Sequence, residues 1–263
     1  MLMAGIFKVL GLLPKVFSLQ GTVPIMELLK LNVVPCRFIE RLNRFVALVE
    51  VGGDVRKALV TNTGRLEEFM IPGRKAFCTP KNGGKTDFVL VAFEDLNGKG
   101  AIIDTRTQAR AFERAVELNL VPWLRDCRIK RKEVRVGNSR LDYLLECPSG
   151  EIYAEMKSAV LRGGDKGEYA MYPDCPSVRG QRHIRELIEL ARSGKRAMIF
   201  FIGAMPGVEK FSPYEKGDPE IARLLAEARK TGVEVHALSI SLLPDGRVIL
   251  ERPSLEVKLR EDF

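Results

Sequence analysis

The sequence predicts a chain of mixed α+β and α/β class in two parts: a small β-barrel of OB type, then an α/β domain with a mixed sheet flanked by helices. Three observations predict this. From Val34 to Asp104 short alternating runs are separated by turns at Asn62-Thr63-Gly64, Pro72-Gly73, Asn82-Gly83-Gly84 and Asn97-Gly98. After Asp104 amphipathic helices alternate with apolar strands. Within that second part, residues 134–160 read as a β-hairpin around Pro148-Ser149-Gly150. The resulting division is an N-terminal extension over 1–33, a barrel over 34–104 and the α/β domain over 105–263.

Five strands are expected in the barrel: Arg37 to Val51, ending at Gly52-Gly53, then Lys57–Val60, Lys75–Thr79, Asp87–Phe93 and Ala101–Asp104. A helix over Gln108–Asn119 follows, its apolar stripe made by Ala111, Phe112, Ala115, Val116 and Leu118. Beyond the hairpin, Ser177 caps a helix running to about Ser193, with Ile184, Leu187, Ile188 and Ala191 inward. Arg196–Gly203 is a continuous apolar run, the mark of a buried central strand. Asp218-Pro219 opens another helix, closed before Gly232. Strands over Val233–Ser241 and Arg247–Glu251 complete the domain.

The chain has 263 residues, 46% of them hydrophobic, which is enough for a real core and excludes a disordered polypeptide. A net charge of +8 favours polyanionic partners, chiefly nucleic acid. Five scattered cysteines and two histidines exclude an ordinary structural zinc site and read as reduced thiols in a cytoplasm. High charge with only three glutamines is a bias of heat-adapted proteins. Residues 1–25 resemble a signal peptide superficially, but Lys8, Pro14 and Lys15 interrupt the apolar stretch, which is too short to span a bilayer. Met26 is a plausible start, so residues 1–25 are expected to be dispensable.

The hairpin carries the candidate chemistry. Strand alternation puts Leu141, Tyr143 and Leu145 on one face and Asp142 on the other. Glu155 and Lys157 share a face of the second strand, and pairing in register brings Asp142 beside Glu155. Two acids and a lysine converging there suit a hard divalent cation and phosphodiester hydrolysis. Spacing alone favours the plainer reading, a solvated sheet face with cross-strand ion pairs. A second Glu-x-Lys, Glu256-Val257-Lys258, is rejected because its acid, Asp245, lies in a turn and Pro253 interrupts the link. Arg179, Arg182 and His183 on the Ser177 helix, and Arg65 after the Asn62 turn, are the candidate nucleic-acid contacts.

Several stretches together resemble the sugar fermentation stimulation protein A family. They are Arg37-Phe-Ile-Glu-Arg-Leu-Asn-Arg-Phe-Val-Ala, Asn62-Thr-Gly-Arg-Leu, Ala154-Glu-Met-Lys-Ser, Tyr172-Pro-Asp-Cys-Pro through Leu187, and Phe211-Ser-Pro. The resemblance implies an N-terminal OB-like domain, a C-terminal domain similar to PD-(D/E)xK nucleases, DNA binding and a regulatory role in sugar metabolism. Carried over by position, Asp142 and Glu155 become metal ligands, with the Met156 carbonyl and Glu113 of the first helix beside them, and Lys157 becomes the catalytic lysine. Leu141 stands where that nuclease pattern has proline, and Ala58 to Thr61 lacks the family's His-Cys-type residues.

The expected function is therefore DNA binding with a Mg²⁺- or Mn²⁺-dependent nuclease site. The partner is DNA, double-stranded, with weak sequence preference, since no helix-turn-helix signature is present. No membrane partner is expected, and a homo-oligomer is left open. The rival readings are a non-catalytic regulator of sugar metabolism genes and an RNA-directed or purely structural module.

Overall fold

The computed structural model describes residues 25–137 and 139–260. The expectation that residues 1–25 are dispensable lies outside this range, Ile25 apart. A first strand, β1 (Met26–Lys30), falls in the segment read as an extension. It pairs with the far end of the chain, Met26 opposite Leu250, and so adds an edge to the second part of the molecule.

The barrel is built from β2 (Val34–Asn43), β3 (Val46–Val51), β4 (Asp54–Leu59), β5 (Lys75–Pro80) and β6 (Phe88–Glu94). They pair in the order β4-β3-β2-β5-β6, and β6 returns parallel to β4 with Ala58 opposite Phe88. The expected barrel is thus closed on five strands. Phe38, Phe69 and Phe93 fill it, with ring centroids 5.6 and 6.1 Å from Phe93. The run from Arg37 to Val51, expected as one strand, is two. Arg44 and Phe45 form a tight turn, because the Asn43 side-chain oxygen accepts the Phe45 N–H at 2.9 Å. Without glycine or proline at the bend, and with an apolar residue in it, the break is invisible to alternation.

Strand β7 (Gly100–Ile102) pairs with β6 and carries the sheet out of the barrel. Helix α1 (Thr105–Glu117) starts earlier than expected. Asp104, read as the end of a strand, is its N-cap and accepts the Thr107 N–H at 2.9 Å. Leu118, placed on the apolar stripe, is 40% exposed beyond the helix end.

Strands β8 (Arg128–Val136), β9 (Ser139–Cys147) and β10 (Gly150–Ser158) form an antiparallel meander. The β9–β10 hairpin is the expected one. Strand β8 escaped the sequence reading: only Val134 of its nine residues is buried, so it shows no apolar alternation. Its basic side chains protect a sheet edge from further pairing. The meander also brings together Cys127 and Cys147, whose Cα atoms are 4.1 Å apart, and they form a disulfide. This corrects the expectation of reduced thiols throughout, since cysteines far apart in sequence meet across neighbouring strands. Closing a loop of 20 residues is worth about 3 kcal/mol. A reductant should therefore lower the melting temperature of the wild type and leave Cys147→Ser unmoved, as thermal unfolding with and without reductant would show.

Strands β11 (Arg162–Gly163) and β12 (Tyr169–Tyr172) lead into α2 (Val178–Arg192), capped by Ser177 as expected. Then come β13 (Arg196–Gly203), β14 (Lys210–Pro213), α3 (Pro219–Lys230), β15 (Glu234–Leu242), β16 (Arg247–Arg252) and β17 (Glu256–Val257). Strand β13 runs parallel to β10 and β15, and nearly all of it is buried. Strand β15 pairs with β7, Leu242 opposite Gly100, so barrel and mixed sheet are continuous. Alternation along β13 defines the two faces. Phe200 stacks on Phe112 of α1 at 4.2 Å, whereas Phe201 stacks on Phe211 at 3.8 Å on the α2 side. Among the described residues no helix is long and apolar enough to cross a membrane.

Candidate active site

Strand alternation puts Glu155 and Lys157 on the α2 side of β10, and antiparallel pairing puts Asp142 of β9 beside them. The Asp142 N–H donates to Glu155 Oε2 at 3.3 Å, and the Met156 N–H donates to Asp142 Oδ2 at 2.9 Å. Lys157 Nζ and His183 Nδ1 both contact Glu155 Oε1, and lie 3.4 Å from each other. The Arg179 Nε donates to His183 Nε2 at 3.4 Å, which leaves the imidazole proton on Nδ1, facing the carboxylate. Glu155 and His183 are each 2% exposed.

The two acids have opposite electrostatics. Burial and the neighbouring Glu155 push the Asp142 carboxyl up to about 7, against the pull of Lys157 and the Met156 N–H. Burial also works against a charged Glu155, but Lys157 and His183 overcome it and hold that carboxyl below the usual range. Lys157 is stabilised as ammonium by Glu155 despite its own burial. The site therefore holds one firmly ionised acid already paired with a cation, and one acid still short of positive charge.

Of the other predicted residues, Met156 lines the same cleft from β10. Glu113 is not brought to the cluster. It stands on α1, across the sheet from Glu155, where it accepts the Tyr143 hydroxyl at 3.3 Å and pairs with Lys132 at 2.6 Å. Arg179 lines the cleft, Arg182 is exposed on α2 outside it, and Arg65 is exposed on the adjoining loop. His183 corrects its expected role as a nucleic-acid contact, because α2 buries it against Glu155 and leaves no surface for DNA. The rejected Glu256–Lys258 pair is a half-exposed surface ion pair at 2.6 Å.

Family models match both halves of the chain: the SfsA N-terminal OB domain over residues 39–103, and the sugar fermentation stimulation protein RE domain over residues 106–246. A sugar fermentation stimulation protein homolog of Pyrococcus furiosus is 63% identical over 215 residues, covering 82% of this chain and 92% of that protein. The chain belongs to the sugar fermentation stimulation protein family. A homolog of Archaeoglobus fulgidus is 43% identical over 226 residues, 86% of this chain and 96% of its own. The solved structure of Pyrococcus furiosus SfsA in complex with Ca²⁺ superposes with a TM-score of 0.85 at 59% identity, covering 89% of this chain and all (100%) of that one.

The two regions matched by the family models face each other across a cleft of about 1010 Å³. Several stretches that carry the resemblance meet there. Arg41 of β2 donates to the carbonyls of Arg44, Asn62 and Gly64 at 2.8, 3.0 and 2.6 Å. The Asn62 amide donates to Ser158 Oγ at 3.3 Å, one residue past Lys157. The Leu66 N–H donates to Asp174 Oδ2 at 2.8 Å, and Gly64 is glycine because a Cβ there would sit 2.7 Å from Asp174 Oδ1. Sequence reasoning missed Arg41 and Asp174 as site builders. Their only signal was their place inside the resembling stretches.

Proposed function

We propose that this protein binds DNA and hydrolyses its phosphodiester bonds at the Asp142–Glu155–Lys157 site with a divalent metal. The observation that carries the reading is the convergence of these side chains, through hairpin register, at the floor of the cleft between the two domains. Among the described residues no cluster of three or more His, Cys, Asp or Glu forms a ready-made metal cage. The donor set still fits Mg²⁺ or Mn²⁺, which are usually held by one or two carboxylates, with water and phosphate completing the shell. The raised Asp142 carboxyl supports the same reading, since burial and Glu155 outweigh the cations near it. The relative from Pyrococcus furiosus, solved in complex with Ca²⁺, adds support from outside this chain.

When bound, the ion supplies Lewis acidity at a non-bridging phosphate oxygen and lowers the pKa of a bound water. Asp142 and Glu155 would hold it, with the Met156 carbonyl alongside. Lys157 positions the attacking water and stabilises the charge that builds on the phosphate oxygens as the P–O bond breaks. His183 is a positioning residue that fixes the Glu155 carboxylate through Nδ1. Arg179 lies on the same wall and meets the DNA backbone from the first turn of α2.

Binding is backbone-directed in this account, so affinity should fall linearly on a log–log salt plot, with a slope of about −0.9 per phosphate neutralised. Two unrelated duplexes titrated across a salt series in EDTA should give the same slope and similar affinities. A flat response, or strong preference for one duplex, would contradict this part of the reading.

A further inference from the structure

The turn between β2 and β3 holds a phenylalanine where turn chemistry calls for a polar residue or glycine. Phe45 is 52% exposed, although water disfavours leaving so large an apolar side chain uncovered. Its backbone is fixed from both sides: the N–H by the Asn43 side chain at 2.9 Å, the carbonyl by the Val60 N–H at 2.8 Å. Arg41 ties this turn to the Asn62–Gly64 loop, and Asn62 ties that loop to the end of β10. The exposed ring is thus held on a rigid support at one lip of the cleft whose floor carries Asp142, Glu155 and Lys157.

The cleft beside the ring carries guanidinium groups as well as the acids Glu133 and Asp174. Arg44 lies 5.9 Å from the ring centroid, and Arg106 and Arg179 line the same cleft. A flat apolar face beside the Arg44 guanidinium matches one feature of DNA, an unstacked base on a phosphate backbone. A base inside duplex DNA presents no free face, so an aromatic platform here has a use only where a nucleotide is unpaired.

We infer that Phe45 is a stacking platform for an unpaired nucleotide, and that the preferred substrate is duplex DNA with a single-stranded arm lying in the cleft. The inference rests on the DNA-binding reading above and deepens it by assigning the DNA form. Arg44 and Arg106 contact the phosphates of that arm, and the stacked base sets which phosphate reaches the acidic site.

The test uses the full chain in EDTA, so that cleavage does not interfere. A blunt duplex and the same duplex with a single-stranded tail, containing 2-aminopurine in the tail, are titrated with wild type, Phe45→Ala, Phe45→Leu and Phe45→Trp. Wild type should bind the tailed DNA more tightly and quench 2-aminopurine by stacking. Phe45→Ala should weaken tailed-DNA binding roughly 5- to 100-fold and abolish the quench, with blunt-duplex binding unchanged within about twofold. Phe45→Leu, apolar but without a π-face, should behave like Phe45→Ala, and Phe45→Trp like wild type. If wild type binds both DNAs and Phe45→Ala binds and quenches equally well, the platform is refuted and the DNA-binding reading stands. If wild type binds neither DNA, the DNA-binding reading fails and the platform falls with it.

Discussion

Asp142→Asn should abolish divalent-metal binding while making the metal-free protein more stable. The asparagine keeps the size of the side chain and can still accept the Met156 N–H that Asp142 accepts at 2.9 Å. What it loses is the charge that burial and Glu155 oppose, and that pushes the Asp142 carboxyl up to about 7. For an acid raised in the folded state, stability is fully present below its unfolded pKa, near 4, and is lost as pH climbs through the folded pKa. Wild type without metal should therefore lose on the order of 2 kcal/mol between pH 4 and pH 8 from this group, after discounting for solvent screening. The variant should not. Thermal unfolding across pH in EDTA would show the gap between the two widening up to about pH 7, and titration calorimetry with Mn²⁺ would show binding only to the wild type. Equal stability at every pH would remove the electrostatic account of Asp142.

Lys157→Met has the opposite sign. Its ammonium offsets the charge of a Glu155 that is 2% exposed, and methionine fills similar volume without that charge. Removing one partner of a buried pair costs about 3 kcal/mol, because the remaining charge is left uncompensated. His183 still contacts Glu155, which keeps the loss below that of a carboxylate with no partner. The Glu155 carboxyl, held low in the wild type by Lys157 and His183, should rise in the variant. Wild-type stability from Glu155 is present above its unfolded pKa and lost as pH falls through its lower folded value, so the variant's deficit should be largest at neutral pH and shrink in acid. Any DNA cleavage should fall about 10²- to 10³-fold, as for other single groups that stabilise transition-state charge. A Lys157→Met protein as stable as wild type at pH 7 would contradict the pairing.

What made the candidate site legible was period-two alternation. Asp142, Glu155 and Lys157 could be placed because Pro148 to Gly150 fixes a tight turn, and a tight turn fixes the register of both strands. Ser177 and Asp218 were legible as helix caps for an equally local reason, the polar side chain standing just before an apolar periodic run. The misses have physical causes too. Asp104 ends a strand-like run and caps a helix, and alternation cannot separate the two roles. The turn at Phe45 depends on one Asn43 side chain rather than on glycine or proline. Glu113 and His183 sit on helices, and the sheet face a helix packs against is a tertiary fact. That fact separates Glu113 from the acidic pair and buries His183 against it. The Cys127–Cys147 pairing required strand β8, whose exposed basic residues concealed it.

The central claim is that Asp142, Glu155 and Lys157 form a metal-dependent phosphodiesterase site. Its most direct test is cleavage of end-labelled tailed duplex by wild type and Asp142→Asn, each in Mg²⁺, Mn²⁺ or EDTA, with products resolved on a denaturing gel. The account predicts cleavage by wild type in Mg²⁺ or Mn²⁺, none in EDTA, and none by Asp142→Asn in any condition although it still binds the DNA. Cleavage by Asp142→Asn at the wild-type rate, or a wild type that binds the DNA and leaves it intact with both metals, would contradict it.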